Sequence, residues 1–231
     1  MFFPERITRI KEGDRVLEIG PGADPHPRSN VLLELAYDDP ADYARQFGHD
    51  RPLTTDKELV FYDGITFPFP DKSFDYVICS HVLEHVPDVE HFLSEIFRVA
   101  KRGYFEYPLC YYELVYNIDV HLNFVKYTDG TLRYLKKADT PIDYFKPVQS
   151  YYREALGMGY TRTVDDMIHR VMEGFEWDAP FPAKRATEMS AVCHAKFDLP
   201  LRRDRELHTY GPRRLLKELW KSIRLRGSYP R

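Results

Sequence analysis

Three polar groups in the sequence could act together on a small molecule. Glu18–Gly22 places a carboxylate before a turn with two glycines, Asp63-Gly64 pairs an acid with a turn glycine, and Ser80–His85 holds two histidines and a glutamate. Carboxylates accept hydrogen bonds from ammonium or hydroxyl groups, and imidazoles exchange protons near neutral pH. The three groups can form one site only if the strands before them bring them together.

Five short apolar segments predict the strands of a mostly parallel sheet. They are Arg15–Ile19, Val31–Leu35, Glu58–Tyr62, Asp75–Ser80 and Tyr104–Tyr107. The polar groups follow the first, third and fourth of these strands, and ligands of open parallel sheets bind at the carboxyl ends of the strands. The alternation of strands and connections predicts a doubly wound α/β fold of the Rossmann-like type, with helices on both faces of the sheet.

One helix is predicted between the fourth and fifth strands. Asp88 has the side chain of an N-cap, and the segment from Val89 to Lys101 carries apolar residues at helical spacing. Gly103 follows the basic last turn and is predicted to end the helix.

The second half of the chain is less regular. Asn123–Tyr127 and Thr131–Leu135 flank Asp129-Gly130, which predicts a hairpin. Helices are predicted over Tyr151–Leu156 and Val164–Glu173, and a late strand over Glu188–Phe197. We expect one domain over residues 1–200, in which residues 109–186 form an acceptor-side insertion or cap, followed by a basic tail over 201–231.

That tail holds ten Lys or Arg residues against three Asp or Glu, and Pro212 could open an amphipathic helix in it. Docking on the domain is its simplest interpretation; contact with anionic lipid, nucleic acid or a partner is the alternative.

Composition excludes several classes of protein. The 231 residues carry a formal net charge of −3, which gives no overall case for nucleic-acid binding. The three cysteines are widely spaced and form no CxxC pair, so neither a zinc ribbon nor a disulfide framework is expected. No segment resembles a signal peptide or a membrane span, and we expect a cytoplasmic protein.

The order of three motifs resembles that of a known family. Glu18-Ile19-Gly20-Pro21-Gly22 is followed by Phe67–Asp75, which reads FPFPDKSFD, and then by Leu83-Glu84-His85. Together they resemble the class I S-adenosylmethionine-dependent methyltransferases, in the small-molecule branch called type 11-like, over residues 15–108. The resemblance implies a seven-stranded sheet, S-adenosylmethionine as cofactor, and methyl transfer to an oxygen or nitrogen of a small-molecule acceptor such as a sugar, a lipid precursor or a natural product.

The resemblance also implies cofactor contacts. Glu18 would face the ammonium group of the cofactor, with the turn of Gly20, Pro21 and Gly22 under its methionine end. Glu34 would accept hydrogen bonds from the ribose hydroxyls, although Asp38 or Asp39 could do the same. The remaining implied contacts are Asp63 and Gly64 at the adenine, and Ser80 and His81 beside the methylthio group.

On the acceptor side, a histidine is the expected general base because its pKa lies near neutrality. The candidates for catalysis are His85, His121 and Glu113, and those for substrate contact are Tyr107 and Tyr111. His85 has a structural alternative, in which a ring hydrogen bond holds the loop after the fourth strand. The aromatic residues could likewise be ordinary packing.

The first crossover departs from the family pattern. Only residues 20–30 separate the first two strands, and they include Pro21, Pro25 and Pro27. Prolines interrupt the helical hydrogen-bond ladder, so a short loop is expected in place of the first helix. This argues against a dinucleotide enzyme, which needs a helix N-terminus for the pyrophosphate and a third glycine where this chain has Pro25.

Two other functions stay open on the sequence alone. His81, Glu84 and His85 match the H-x-x-E-H pattern of zinc hydrolases, which requires a continuous helix, yet Pro87 follows closely. The second alternative is a non-catalytic Rossmann-like domain that serves as an interaction module.

Overall fold

Six strands form the main sheet in the computed structural model, which describes residues 1–36 and 53–193. The strands are β1 (Val16–Ile19), β2 (Val31–Leu35), β3 (Glu58–Tyr62), β4 (Tyr76–Ser80), β5 (Gly103–Pro108) and β8 (Met172–Trp177). Their order across the sheet is β3-β2-β1-β4-β5-β8. The strands β1 to β5 are parallel, and β8 is antiparallel to β5. The mostly parallel Rossmann-like fold is confirmed; the described residues supply six of the seven strands expected.

The β8 strand corrects two expectations. The helix predicted over Val164–Glu173 ends at Val171, and the chain enters β8 at Met172. β8 is therefore part of the main sheet, so the segment 109–186 is not wholly a cap over it. The sequence does not show where the helix ends and β8 begins, because Met172 and Glu173 fit both the amphipathic pattern of the helix and the pattern of a strand.

The two faces of the sheet are covered differently. Leu17 and Val77 belong to a large apolar core with the helix α1 (Val89–Val99), which lies on one face. On the opposite face Tyr76 packs in a smaller core with Ile7 and Ile10 of the N-terminal segment. An extended segment thus covers part of the face for which a helix was expected.

The start of α1 follows the prediction and its end does not. Asp88 caps the helix, accepting a hydrogen bond from the backbone N–H of His91 at 2.9 Å. The helix ends at Val99, and Gly103 is the first residue of β5. A Cβ at Gly103 would overlap the carbonyl oxygen of Val77, so this glycine permits close strand packing and is not a helix stop.

The loop between β1 and β2 contains no helix, as its prolines predicted. The Nζ of Lys57 donates to the carbonyl oxygens of His26 at 3.2 Å, Pro27 at 3.1 Å, and Ser29. One ammonium group therefore satisfies carbonyl groups that a helix would otherwise have paired.

A second, three-stranded sheet lies in the later part of the chain. It contains β6 (Asn123–Thr128), β7 (Thr131–Lys136) and β9 (Ala183–Arg185). Asp129 and Gly130 both have positive φ, as a tight hairpin turn requires, which confirms the predicted hairpin. The other helices are α2 (Cys110–Tyr116), α3 (Lys146–Gly157) and α4 (Arg162–Val171), with 3₁₀ turns at Pro4–Arg6, Lys137–Asp139, Pro141–Phe145 and Met189–Ala191.

Several predictions concern the ends of the described ranges. The predicted strand Glu188–Phe197 is wrong where it can be compared, because Met189–Ala191 forms a 3₁₀ turn. The described residues belong to one unit, Met1–Cys193. Asp38, Asp39 and the basic tail 201–231 lie outside the described residues. Within residues 1–36 and 53–193, no helix has the length and apolar character needed to cross a membrane.

Candidate functional site

A cavity of about 670 Å³ opens at the carboxyl ends of the central strands. It brings together most of the residues that the sequence singled out. Those that line it are Glu18, Gly20, Pro21, Gly22, Glu34, Gly64, Ser80, His81, His85 and His121. Four predicted residues lie outside its lining, namely Asp63, Tyr107, Tyr111 and Glu113.

The turn after β1 is shaped by its glycines. Gly20 and Gly22 both have φ of 60°, in the left-handed region where a side chain is strained. A Cβ at Gly20 would come within 2.7 Å of a methyl group of Val82, which follows β4. The absence of a side chain thus lets the two loops approach each other at the edge of the cavity.

Glu18 is buried at the cavity wall. Its Oε2 accepts hydrogen bonds from the hydroxyl of Ser29 at 2.6 Å and the backbone N–H of His26 at 2.8 Å. Burial raises the pKa of Glu18 and outweighs these two hydrogen bonds, which lower it. The short β1–β2 loop therefore fixes the orientation of this carboxylate.

Glu34, near the end of β2, is the second buried carboxylate of the wall. Its side chain accepts a hydrogen bond from the N–H of Leu35 at 2.9 Å and is only 5% exposed. Burial raises the pKa of this carboxyl group to about 7, against the lowering effect of that one hydrogen bond. A ligand that supplies hydrogen-bond donors could therefore satisfy the Glu34 carboxylate.

The geometry does not favour the predicted role of Asp63. Its Oδ1 accepts hydrogen bonds from the N–H groups of Ile65 at 2.8 Å and Thr66 at 3.1 Å, which lower its pKa. The side chain therefore closes its own turn, while the neighbours Tyr62 and Gly64 line the cavity.

His81 lies between two buried glutamates. Its Nδ1 is 3.2 Å from Oε1 of Glu84, and its Nε2 is 3.0 Å from Oε1 of Glu106. Burial lowers the pKa of His81, but hydrogen bonds to both carboxylates outweigh it and raise the pKa to about 9. The same contacts overcome burial at Glu84 and Glu106 and lower their pKa values to about 2. His81 is therefore an imidazolium with both ring nitrogens engaged.

Glu106 ties the N-terminal segment to the cavity. Besides His81, it accepts hydrogen bonds from the hydroxyl of Tyr104 at 2.7 Å and the backbone N–H groups of Phe2 at 2.6 Å and Phe3 at 3.0 Å. The Phe2 ring meets the His81 ring edge to face, with centroids 5.2 Å apart. Met1 and Phe2 consequently join the cavity lining.

His85 and His121 form a second imidazole pair. Their ring centroids are 4.5 Å apart at an interplanar angle of 89°. The Nδ1 of His85 is 3.2 Å from the carbonyl oxygen of Val120, and that of His121 is 2.5 Å from Oε1 of Glu113. Both oxygens can only accept, so each Nδ1 carries the hydrogen, and the lone pair of an unprotonated ring lies on Nε2. Burial is the main reason that the pKa of His85 falls to about 4.

Glu113 contacts His121 from outside the cavity lining. Its side chain is fully buried, and its Oε2 accepts a hydrogen bond from Nζ of Lys137 at 2.7 Å. Burial raises the pKa of Glu113, but the contact with His121 and, to a smaller extent, the Lys137 cation outweigh it and lower the pKa. Glu113 is therefore a positioning residue for the His121 ring.

The two predicted substrate tyrosines point elsewhere. The hydroxyl of Tyr107 donates to Glu173 at 2.5 Å and accepts from the N–H of Tyr127 at 2.7 Å, inside the large core. Tyr111 packs against three apolar clusters, and Tyr112, the next residue, lines the cavity. Alternate residues of β5 face opposite sides of the sheet, and successive residues of α2 point in different directions around the helix. These two periodicities determine which aromatic side chains reach the cavity.

The structure contradicts the helical ligand set that the zinc-hydrolase alternative requires, with His81 and His85 as the two histidine ligands. Residues 81–87 form turns and bends, and His81 has a φ of 58°, which no helix contains. Both nitrogens of His81 are also engaged with carboxylates. The H-x-x-E-H pattern therefore does not place His81 and His85 on one helical face.

Sequence reasoning missed three important residues of this region. Phe2 and Tyr112 line the cavity, and Glu106 joins the N-terminal segment to it. A glutamate inside the apolar strand β5 was an available signal, since a buried charge must have partners. The position of the N-terminal segment has no comparable signal in the sequence.

Comparison with known proteins gives partial matches. Residues 33–105 match the model of a family described as a methyltransferase domain. The chain is 34% identical over 101 residues to sterol 24-C-methyltransferase of Aspergillus fumigatus, covering 41% of this chain and 27% of that protein. It is 46% identical over 46 residues to demethylmenaquinone methyltransferase of Listeria welshimeri, covering 20% of each. The chain thus spans less than a third of the length of these curated relatives.

The chain is also similar in part to a solved structure. The S-adenosylmethionine-dependent methyltransferase of Aquifex aeolicus is 18% identical, with a TM-score of 0.32, over 46% of this chain and 64% of that one. The matched residues 33–105 run from β2 through α1 into β5 and contain the FPFPDKSFD and LEH motifs. Within this segment the chain is similar to a methyltransferase domain.

Proposed function

We propose that this protein transfers the methyl group of S-adenosylmethionine to an oxygen or nitrogen atom of a small molecule. One observation carries the proposal: the Glu18–Gly22 turn, Glu34 and the Ser80–His85 loop border a single cavity. Its volume of about 670 Å³ lies in the range of small-molecule sites. When bound, the cofactor supplies a methyl group activated by a sulfonium leaving group.

The β1 and β2 side of the cavity suits the cofactor. Glu18 is positioned to pair with an ammonium group, and Glu34 to accept hydrogen bonds from vicinal hydroxyls. The Gly20–Gly22 turn presents backbone without side chains, so a ligand can lie close to it. The absence of a helix here is no obstacle, because S-adenosylmethionine has no phosphate to place at a helix N-terminus.

The opposite side suits the acceptor. The lone pair on Nε2 of His121 can take the proton that an acceptor hydroxyl or amine loses, while Glu113 holds the ring and stabilises the imidazolium. The surrounding cavity wall is largely apolar, with Tyr112, Ile118, Val120, Leu156 and Met172. We therefore favour an acceptor with an apolar body and one nucleophilic group, as the sterol and demethylmenaquinone in the two relatives' names also suggest.

The first experiment is calorimetric titration with S-adenosylhomocysteine. Saturable binding at one equivalent per chain supports the proposal. Glu34→Ala should weaken it, whereas Glu58→Ala, on the exposed part of the neighbouring strand β3, should not. A wild-type protein that binds no S-adenosylhomocysteine would instead favour the interaction-module alternative.

The second experiment tests transfer. Acceptor candidates with an apolar body are screened for release of S-adenosylhomocysteine, and His121→Ala is compared with wild type on the best of them. Loss of turnover with retained S-adenosylhomocysteine affinity supports the acceptor-side role of His121. A parallel loss of affinity would place His121 with the cofactor and refute that role.

A further inference from the structure

From the acceptor end of the cavity, we infer that Glu84, His85 and His121 form a binding site for one divalent transition-metal ion. One potential ligand atom from each of the three side chains lies within 4.8 Å of those of the other two. All three residues line the cavity, so an ion held there would face the proposed acceptor.

Both imidazoles are already oriented as metal ligands. A ligating histidine usually donates its other ring N–H to a carbonyl or carboxylate, which fixes the ring and its tautomer. His85 makes this contact with the carbonyl oxygen of Val120, and His121 makes it with Glu113. The two Nε2 lone pairs are left for an ion, on segments that come from different parts of the chain.

The third ligand is marked by an unsatisfied atom. Glu84 is fully buried, and its Oε1 is 3.2 Å from Nδ1 of His81 and 4.0 Å from Nε2 of His85. Its Oε2 has no hydrogen-bond partner in the described part of the chain. A buried polar oxygen without a partner is costly, and each such case in a folded protein calls for an explanation. A metal ion bound by this carboxylate would supply one.

The donor set indicates the class of ion. Two imidazoles and one carboxylate are a ligand set of catalytic zinc, which leaves further coordination positions open. Imidazole donors suit zinc, iron, nickel or copper better than magnesium or calcium, which prefer oxygen. Ligand atoms around a tetrahedral zinc ion lie about 3.4 Å apart, so binding requires the three side chains to close by roughly 1 Å.

The role of the ion rests on the proposed function; its binding does not. An acceptor hydroxyl that occupied the open position would be acidified by the metal and lose its proton to water in the cavity. The oxygen lone pair would then form the bond to the methyl carbon as the carbon–sulfur bond breaks, with its electron pair kept by sulfur. In the metal-loaded protein His121 is a ligand, so water replaces its ring as proton acceptor.

The test measures binding directly. The full chain is stripped with a chelator and titrated with Zn²⁺ by calorimetry, and with Co²⁺, whose visible absorption reports its coordination geometry. We expect one equivalent to bind, and a Co²⁺ spectrum typical of nitrogen and oxygen ligands in four- or five-coordination. Absence of saturable binding in the wild-type protein overturns the inference without any variant.

Variants locate the ion. His85→Gln and His121→Gln should each lower Zn²⁺ affinity by at least 100-fold, and Glu113→Gln by about 10- to 100-fold because it orients a ligand. His91→Gln, at an exposed histidine of α1, is the matched control. One-equivalent binding that survives both ligand substitutions places the ion elsewhere and refutes the site.

A titration of the stripped protein with S-adenosylhomocysteine separates the two proposals. Cofactor-product binding without metal binding overturns only the metal site, and metal binding without cofactor-product binding overturns only the methyl-transfer proposal.

Discussion

Nδ1 of His121 donates to Oε1 of the fully buried Glu113 over 2.5 Å, and the other oxygen of the same carboxylate accepts from Lys137 over 2.7 Å. The carboxylate thus compensates a buried ammonium and fixes the tautomer of a cavity histidine at once. Removing the charge of Glu113 should therefore lower stability through Lys137 and lower activity through His121.

We predict that Glu113→Gln destabilises the protein strongly, because it leaves the Lys137 ammonium buried without a counter-charge. The expected loss in the free energy of unfolding is about 3–5 kcal/mol. The double variant Glu113→Gln with Lys137→Met removes both charges and should recover most of this loss. Chemical denaturation of the three proteins measures the effect.

Turnover should not recover with stability. In the double variant the His121 ring loses its carboxylate partner, so we expect kcat to fall by about 10- to 100-fold with little change in S-adenosylhomocysteine affinity. A double variant that is stable and fully active would show that Glu113 has no part in positioning His121.

The close approach of Gly20 to Val82 leads to a second prediction. Gly20→Ala adds a Cβ at positive φ and within 2.7 Å of the Val82 methyl group. The backbone strain costs about 1–2 kcal/mol, and the overlap adds about 1–3 kcal/mol. The overlap should also move the turn and weaken S-adenosylhomocysteine binding.

Gly130→Ala is the matched control for this substitution. Gly130 also has positive φ, at 71°, but a Cβ there would meet nothing within 4 Å. It should therefore show the backbone strain alone, with cofactor-product affinity unchanged. Equal effects of the two substitutions on stability and affinity would refute a special role for the Gly20–Val82 contact.

The main sheet could be predicted well because its signals are local. The strands β1 to β5 lie within one residue of their predicted bounds, since each is a short apolar segment that ends at a polar or turn residue. The Asp88 cap and the Asp129-Gly130 turn were likewise local chemical features. The cavity at the strand ends followed from the sheet topology.

The residues that sequence reasoning misplaced depend on long-range contacts. Which of Tyr111 and Tyr112 faces the cavity is set by the rotation of α2, a helix of seven residues with aromatic side chains on several faces. The pairing of Phe2 with Glu106 spans 104 residues, and no local pattern encodes it. Asp63 was misplaced for a local reason. An Asp-Gly turn has the same sequence whether its carboxylate binds a ligand or accepts hydrogen bonds from its own backbone.

The core position of Tyr107 gives a third prediction. Tyr107→Phe leaves the N–H of Tyr127 and the carboxylate of Glu173 without their common partner. We expect a loss of about 1–3 kcal/mol in the free energy of unfolding and no change in the KM for an acceptor. Tyr112→Leu, in the cavity wall, should instead raise that KM. The reverse pattern would restore Tyr107 as a substrate residue.

The raised pKa of Glu34 gives a prediction with a defined sign. Burial raises this pKa from 4.5 to about 7, so between these values the folded protein holds a proton that the unfolded chain has lost. The free energy of unfolding must therefore fall as pH rises through this window, by up to about 3 kcal/mol from this group. Below pH 4.5 both states are protonated, and above pH 7 the loss is complete.

Glu34→Gln cannot titrate, so its stability relative to wild type should rise from pH 4.5 to 7 and stay level above. Denaturation across this range measures the difference, with Glu58→Gln on the exposed part of β3 as control. The stabilised variant should nonetheless bind S-adenosylhomocysteine more weakly at pH 8, because an amide has a single oxygen to accept two hydroxyl hydrogen bonds. A stability difference between Glu34→Gln and wild type that does not vary with pH would show that the Glu34 carboxyl is not desolvated. Unchanged affinity of Glu34→Gln for S-adenosylhomocysteine would show that Glu34 does not bind the ribose and would direct attention to Asp38 or Asp39.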